Sequence, residues 1–388
     1  MAMAAAGRAA LAIDATTLAA NPAGMTALTG RSFVVAVLPV SLEARFEGRD
    51  GTVGSAENRA GVALAGSLFA VHTNRRLSLG LGVHSYLGLG FDFGDQWIGS
   101  RTIERGELQT VNLSGAAGCR VTDRLSVGAA LAAQYAGISA ATGVNNDASL
   151  YGLPAGLPDG SLRISGTDWA PAGTLGLTFQ VDQDTRVGMA WTSPVRHAMN
   201  LDIHASNLHP VLASSLALAG EPRFEMNLPQ QVVVSAVRRI APGTDLSGSV
   251  GWQDWSSFGE THMVFGGAHA RLFPTGLDDT WHVAFGLRHQ LDPRWTLAAG
   301  VAYDTDPSTH GTMPPYFPVA DQLRLAAGVE HRVNDTLTLR FALSVLNQGD
   351  IRVEQDGHPL LLPGVDPLRG TFDGGRVLVI GVAADYDM

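Results

Sequence analysis

Through most of the chain apolar residues recur at every second position, the period of a β-strand rather than of a helix. Trp295, Leu297, Ala299, Val301 and Tyr303 share one face, and Thr296, Ala298, Gly300, Ala302 and Asp304 share the other. The same greasy-against-small pattern runs from Leu337 to Val345 and from Trp281 to His289. Such alternation suits a sandwich with its apolar face inward, or a membrane barrel with that face toward lipid. The turns separate the two. Short polar turns stand at Thr73-Asn74-Arg75, Thr122-Asp123-Arg124, Asp182-Gln183-Asp184, Ala241-Pro242-Gly243-Thr244, Asp292-Pro293-Arg294 and Asn334-Asp335. Between them lie longer, irregular connectors at 141–163, 204–221, 259–278, 305–321 and 354–373. Short turns at one end and long loops at the other describe an up-and-down barrel of the outer-membrane kind. The six turns pair twelve strands, and segments 31–46 and 375–387 bring the total to about fourteen, an even number as closure expects. The expected fold is all-β: a transmembrane antiparallel β-barrel over residues 31–388.

Residues 4–28 break the pattern. They are rich in alanine, and Pro22 is followed closely by Gly24, which predicts a short helix, a break and a second helical turn. Helices are expected only here. A segment this apolar is poorly suited to a solvated tail, so residues 1–30 are expected to pack in the lumen as a plug.

Composition narrows the function. No stretch approaches the roughly 18 consecutive apolar residues of a membrane-spanning helix, which excludes a helical membrane protein. All 26 basic residues are arginine and the net charge is −10, which argues against a nucleic-acid partner. The lone Cys119 forms no intrachain disulfide and fits no metal pattern. Met1–Ala6 lacks the charged and apolar segments of a full signal peptide, so the numbering is expected to begin near a cleavage point unless the chain is cytoplasmic.

Several motifs, in order, are similar to those of the FadL-type outer-membrane transporters of long-chain fatty acids and aromatic hydrocarbons. Asn21-Pro22-Ala23-Gly24-Met25 resembles that family's hatch motif. Gly80-Leu81-Gly82-Val83, Leu87-Gly88-Leu89-Gly90 and the stretch from Asp95 to Arg101 resemble its third strand and following loop, and Glu107–Asn112 the start of its fourth. Thr192–His197 resembles a strand-end motif, Leu228-Pro229-Gln230 the opening of the eighth strand, and Pro367–Phe372 a terminal block. The most specific block is Trp252-Gln253-Asp254-Trp255-Ser256-Ser257-Phe258, similar to W-x-D/N-W-S-x-F.

The resemblance implies a channel in the outer membrane of a Gram-negative bacterium that imports hydrophobic small molecules by diffusion. It implies capture at the extracellular loops, passage into a greasy pocket, a shift of the hatch and exit through a lateral opening in the wall. Asn21, Pro22, Ala23, Gly24 and Met25 would form the hatch, and Gly80, Gly82, Gly88, Gly90 and Gly94 would kink the third strand. The alternative is that these glycines are small lumen-facing or turn residues. Met313-Pro314-Pro315-Tyr316-Phe317 is an apolar island in a loop, either a capture surface or a packing element. Trp252, Asp254, Trp255 and Phe258 are read as structural, the two tryptophans on opposite strand faces. The expected partners are the apolar cargo, outer-membrane lipid and lipopolysaccharide around a monomer. No catalytic residues, metal or cofactor are assigned. His204, His209, His262 and His310 lack ligand spacing, and the GxG pieces sit within a strand, away from any dinucleotide loop. Two rivals remain: a porin-like channel for polar solutes, and an outer-membrane hydrolase or calcium site using Asp304 and Asp306.

Overall fold

A computed structural model describes residues 1–146, 158–218, 220–265, 268–356 and 367–388. Among the described residues, fourteen of the twenty-one strands form the wall. They are β1 (Gly30–Gly48), β2 (Ala63–Asn74), β3 (Leu77–Asp92), β4 (Arg105–Arg120), β5 (Leu125–Val144), β6 (Gly160–Gln180) and β7 (Thr185–Thr192). There follow β8 (Gln231–Ala241), β9 (Thr244–Gln253), β10 (Thr280–Gln290), β11 (Trp295–Asp304), β12 (Gln322–Arg332), β13 (Leu337–Gln348) and β14 (Leu368–Asp387). Each pairs antiparallel with the next, and β14 pairs with β1 from Ser32↔Asp387 to Gly48↔Gly370, closing the barrel. Closure leaves no free sheet edge, so each wall strand has a paired neighbour on both sides.

The period-two faces fall as the sequence predicts. Leu297, Phe285, Trp281, Phe341 and Leu343 point outward and are 45–60% exposed, whereas Ala298, Ala302, His282 and Ala284 are buried inside. A water-soluble sandwich does not leave so continuous an apolar belt uncovered, so lipid covers it. The six predicted turns join β2–β3, β4–β5, β6–β7, β8–β9, β10–β11 and β12–β13.

The long-loop end is more ordered than its sequence suggests. Past Ser193-Pro194 the wall continues as Val195–Ser206, which pairs with the upper half of β6 and with Arg223–Leu228. Arg223–Glu225 then pairs with His262–Val264, and His262–Phe265 with Ala268–Arg271. Two further helices correct the expectation that helices are confined to the start: Pro210–Leu218, and the single turn Trp255–Phe258. The last wall strand also begins at Leu368, seven residues before the predicted 375.

Residues 1–28 lie against the inner faces of strands all round the barrel. Gly7 N donates to Ser249 Oγ at 2.9 Å, Ala9 N to Ser235 Oγ at 3.1 Å and Thr26 Oγ1 to Ser126 Oγ at 2.7 Å. Thr73 Oγ1 donates to Met25 O at 2.9 Å, and Arg340 Nη1 to Asp14 Oδ2 at 2.8 Å. Helical turns form at Thr17–Ala20 and, as a 3₁₀ helix, at Pro22–Ala27. The contact is too close for side chains at some wall positions: a Cβ on Gly176 would stand 1.9 Å from Asn21 Oδ1, and one on Gly188 1.9 Å from Ala9 O.

Candidate functional site

Asn21 is 1% exposed and ties the N-terminal segment together at the point where it meets β6 and β7. Its amide donates to Ala9 O at 2.6 Å and to Leu177 O at 3.0 Å, and its Oδ1 accepts from Ala23 N at 3.1 Å, capping the 3₁₀ turn that Pro22 begins. Met25 is buried against Gly80 of β3. Asn21→Ala removes these bonds and leaves the buried Ala9 carbonyl without its donor, at about 1–3 kcal/mol. The expected result is faster proteolysis within residues 1–28 at unchanged barrel content, measured by timed digestion and circular dichroism.

The wall is irregular at β3. Its register with β4 runs evenly from Leu77↔Cys119 to Ser85↔Val111 and then resumes at Gly88↔Gln109. Two residues of β3, Tyr86 and Leu87, therefore face the single residue Thr110, a β-bulge. Thr110 fills the missing ladder position: its Oγ1 accepts from Leu87 N at 2.7 Å and donates to Leu87 O at 2.9 Å. On the other side, pairing of β3 with β2 ends at Ser67↔His84, with Gly66 N donating to Ser85 Oγ at 3.2 Å just beyond. The chains rejoin where Arg59 N donates to Asp92 O at 2.7 Å and Asp92 N to Asn58 Oδ1 at 2.9 Å. Between these two closures the β2–β3 ladder is interrupted.

The bulge also reverses which residues face inward. Leu79, Leu81 and Val83 point to lipid, but Leu89 and Phe91, which strict alternation also puts outside, turn into the barrel. There they help line an apolar cavity of about 140 Å³ beneath the loops. Of the five glycines assigned to the kink, Gly88 adjoins the bulge, and a Cβ on Gly90 would meet nothing within 4 Å. Gly80 and Gly82 sit below it, where Cβ atoms would lie 2.5 Å from Leu18 and Phe69, and Gly94 follows the strand in a left-handed turn, φ +78°.

The W-x-D-W-S-x-F block builds the opposite side of that cavity. Trp252 ends β9 on its outer face and donates Nε1–H to Asp279 Oδ2 at 3.2 Å. Asp254 caps the turn Trp255–Phe258 by accepting from Ser257 N at 3.3 Å, and is held by Gln230 Nε2 at 3.0 Å. Gln230 in turn accepts from Trp191 Nε1 at 3.1 Å. Trp255 is thus helical, a correction to its placement on a strand: it is the turn, and not strand alternation, that swings it inward. The same turn sets Phe258, 4% exposed, within 5.3 Å of Phe317 and 5.5 Å of Phe273, ring centre to ring centre. Trp255 stands 5.8 Å from Phe317 and also borders the larger lumen space.

Met313 and Phe317 are buried and Tyr316 is half-buried among these aromatics, with Pro314 and Pro315 in the same segment. Tyr316 donates its hydroxyl to Leu272 O, and burial pushes the phenol well above its ordinary pKa, so it remains a neutral donor. Tyr316 and Phe317 line the cavity with Leu89, Phe91, Phe258 and Phe273. Sequence inspection singles out Phe258 and the 313–317 island separately, whereas Leu89, Phe91, Phe224, Met226 and Phe273 pass as ordinary strand and loop residues.

Below the apolar cavity lies a wider lumen space of about 980 Å³, bordered by the N-terminal segment and by Gly66, Ser85, Tyr86, Leu87 and Gly88 at the interrupted ladder. Its polar side chains are mostly paired. Arg340 bridges Asp14 and Asp385, and Arg288 meets Glu330 at 2.8 Å. His197 stands between Asp168 at 3.0 Å and Gln134 at 3.1 Å, with no nucleophile on either ring nitrogen. Asp304 accepts from His282 at 2.8 Å, and Asp306 caps Ser308. Among the described residues no group of three His, Cys, Asp or Glu is placed to hold a metal ion.

Comparisons with known proteins agree with this architecture. A model of outer membrane transport proteins (OMPP1/FadL/TodX) matches residues 1–388. A long-chain fatty acid transport protein of Escherichia coli O6:H1 is 24% identical over 371 residues, spanning 88% of this chain and 83% of its own. Outer membrane protein P1 of Haemophilus influenzae is 23% identical over 381 residues, spanning 88% and 82%. Among solved structures, a Pseudomonas aeruginosa FadL homologue is 20% identical with a TM-score of 0.87, covering 100% of this chain and 97% of its own. The Ralstonia pickettii toluene transporter TbuX is also 20% identical, with a TM-score of 0.71 and coverage of 99% and 97%. At these identities the structural likeness establishes the fold.

Proposed function

The chain belongs to the OMPP1/FadL/TodX family of outer membrane transport proteins, and from that premise we propose that it admits hydrophobic small molecules across the outer membrane by diffusion. The observation that carries the reading is the apolar cavity beneath the loops, walled by Leu89, Phe91, Phe258, Phe273, Tyr316 and Phe317 and adjoining the lumen. A cargo leaving water for such walls gains about 0.8 kcal/mol per buried CH₂, so no energy source is needed for entry. Residues 1–30 act as the hatch beneath it, with Asn21–Met25 as its fixed corner. The interrupted β2–β3 ladder is the lateral exit, through which an apolar molecule passes into lipid without crossing a polar lumen. The 313–317 island takes part in capture as a wall of the cavity. The protein works without chemistry on its cargo, as the transport role of its relatives suggests.

Purified protein soaked separately with a long-chain fatty acid and with toluene tests this. Apolar density against Phe258 and Phe317 is the expected result. A continuous water-filled lumen with neither molecule bound would favour a porin for polar solutes.

A further inference from the structure

The wall has a second break. The register of β6 with the strand Val195–Ser206 runs from Ser161↔Ser206 to Gly166↔Leu201 and stops, and β6 next pairs at Thr174↔Thr192 with β7. Residues 167–173 therefore face residues 193–200 outside the ladder, with one residue more on the far side. Gly173 and Ser193 mark its lower end: Ser193 N donates to Gly173 O at 2.8 Å, and Gly173 N to Ser193 Oγ at 2.9 Å. Alternate residues of a strand aim their backbone groups to the same side, so Pro171, two before Gly173, turns toward the break a nitrogen that carries no hydrogen. Pro194 on the opposite strand lacks one as well. Backbone pairing cannot close such a seam evenly.

Two side chains span it instead. Asp168 Oδ2 accepts from Ala198 N at 3.2 Å and from His197 Nδ1 at 3.0 Å. An ionised carboxylate only accepts, so that ring nitrogen carries the proton. His197 Nε2 meets Gln134 Oε1 at 3.1 Å, Gln134 Nε2 donates to Asn112 Oδ1 at 2.7 Å, and Asn112 Nδ2 stands 3.5 Å from His84 Nε2. The clasp is thus braced along the inner face as far as β3. It lies level with the bulge, since Thr110 pairs with Ala136 and Ala136 with Asp168. Inside, Ile164 and Leu201 above the break line the apolar cavity, and Ala172 and Val195 at it line the lumen space. Outside, Trp169 in the middle of the break is 61% exposed, on the face that lipid covers.

We propose that this break is a second lateral gate between the barrel interior and the membrane, held shut by the Asp168–His197 clasp. The inference rests on the transport reading above and adds a route to it: an apolar molecule in the cavity has one side exit at the interrupted β2–β3 ladder and another, closed at rest, beside β6. Parting two side-chain hydrogen bonds opens a seam of several residues, whereas a continuous ladder has to be broken bond by bond. The ends of the segment are fixed, by Gly173 and Ser193 below and by Gly166↔Leu201 above. Between them residues 194–200, with Arg223–Leu228 paired behind, can swing outward as a unit.

The test is uptake of toluene into proteoliposomes by four kinds of full-length protein. They are the wild type, a chain lacking Leu87, which loses the bulge and with it the first exit, that deletion with Asp168→Ala or His197→Leu, and that deletion with Asp168→Asn. The deletion alone is expected to slow uptake about tenfold, and Asp168→Ala or His197→Leu to restore most of it, since loss of a hydrogen bond to a charged group shifts an equilibrium by about tenfold or more. Asp168→Asn keeps an oxygen for both donors and should stay slow. Sugar should remain excluded throughout, because a gate toward lipid gives a polar solute no path. Unclasped chains as slow as the deletion alone, or restored uptake with sugar leaking through a damaged wall, overturn the gate and leave hydrophobic transport standing. Uptake undiminished by the deletion alone also overturns it, because a gate shut at rest carries no flow. Toluene entry by none of the chains, the wild type included, sinks the transport reading itself.

Discussion

Deletion of Leu87 is expected to lower uptake of a hydrophobic cargo by tenfold or more while leaving the barrel assembled. The bulge exists because Tyr86 and Leu87 together oppose Thr110. Removing one residue restores even pairing with β4 and preserves the inward facing of Leu89 and Phe91, so the apolar cavity keeps its walls. What changes is the direction of β3. A straight strand continues along β2 past Ser67↔His84, where the ladder now stops, and the gap beside Gly66 and Ser85 closes. A cargo that leaves sideways is then trapped above the N-terminal segment. Binding of the cargo to detergent-solubilised protein should persist, which separates loss of exit from loss of capture. Undiminished uptake by the deletion variant, with β-sheet content unchanged, would place the exit elsewhere.

The second large effect is expected at the cavity. Ala140 of β5 faces inward and lines it, and Ala140→Trp sets an indole in the space that the cargo needs. The void is small, about 140 Å³, so one large side chain competes directly with the ligand. Excluding as few as two methylenes from apolar contact removes about 1.6 kcal/mol, more than a tenfold loss of affinity. The substitution adds apolar bulk to an apolar cavity, so the barrel should fold normally, with its thermal transition near that of the wild type. Titration with a fatty acid reads the effect; an unchanged dissociation constant would show that the cargo binds outside this cavity.

The outer surface was legible in the sequence because lipid imposes one rule on every strand. Trp281, Phe285, Leu297 and Phe341 alternate with small or polar residues, and each lies where period two puts it. The polar turns were legible for a similar reason, since Asn, Asp, Gly and Pro stop strands locally. The bulge was not. Leu77, Leu79, Leu81, Val83, Leu87, Leu89 and Phe91 all occupy odd positions, and uniform alternation sends every one to lipid. The change of face depends on the Thr110 hydroxyl completing a ladder from another strand, a contact without a local signature in β3. The glycines mark two different things: space at Gly90, and close approach at Gly80 and Gly82, where Leu18 and Phe69 leave no room for a Cβ. The cavity stayed hidden because its walls come from β3, β4, β5, β6, the strands Val195–Ser206, Arg223–Leu228 and His262–Phe265, and the connectors around them, which only tertiary structure assembles. Trp255 was misplaced because strand periodicity was carried one turn too far, although Asp254 followed by Trp-Ser-Ser is a fair helix-capping signal.

The most direct measurement is solute selectivity in proteoliposomes. Uptake of toluene or of a long-chain fatty acid is compared with swelling in a sugar of similar mass, for the wild type and for a chain lacking residues 1–28. The account predicts fast entry of the apolar solute and almost none of the sugar through the wild type, with sugar permeation appearing once the N-terminal segment is removed. Ready sugar passage through the wild type, without preference for the apolar solute, would contradict it.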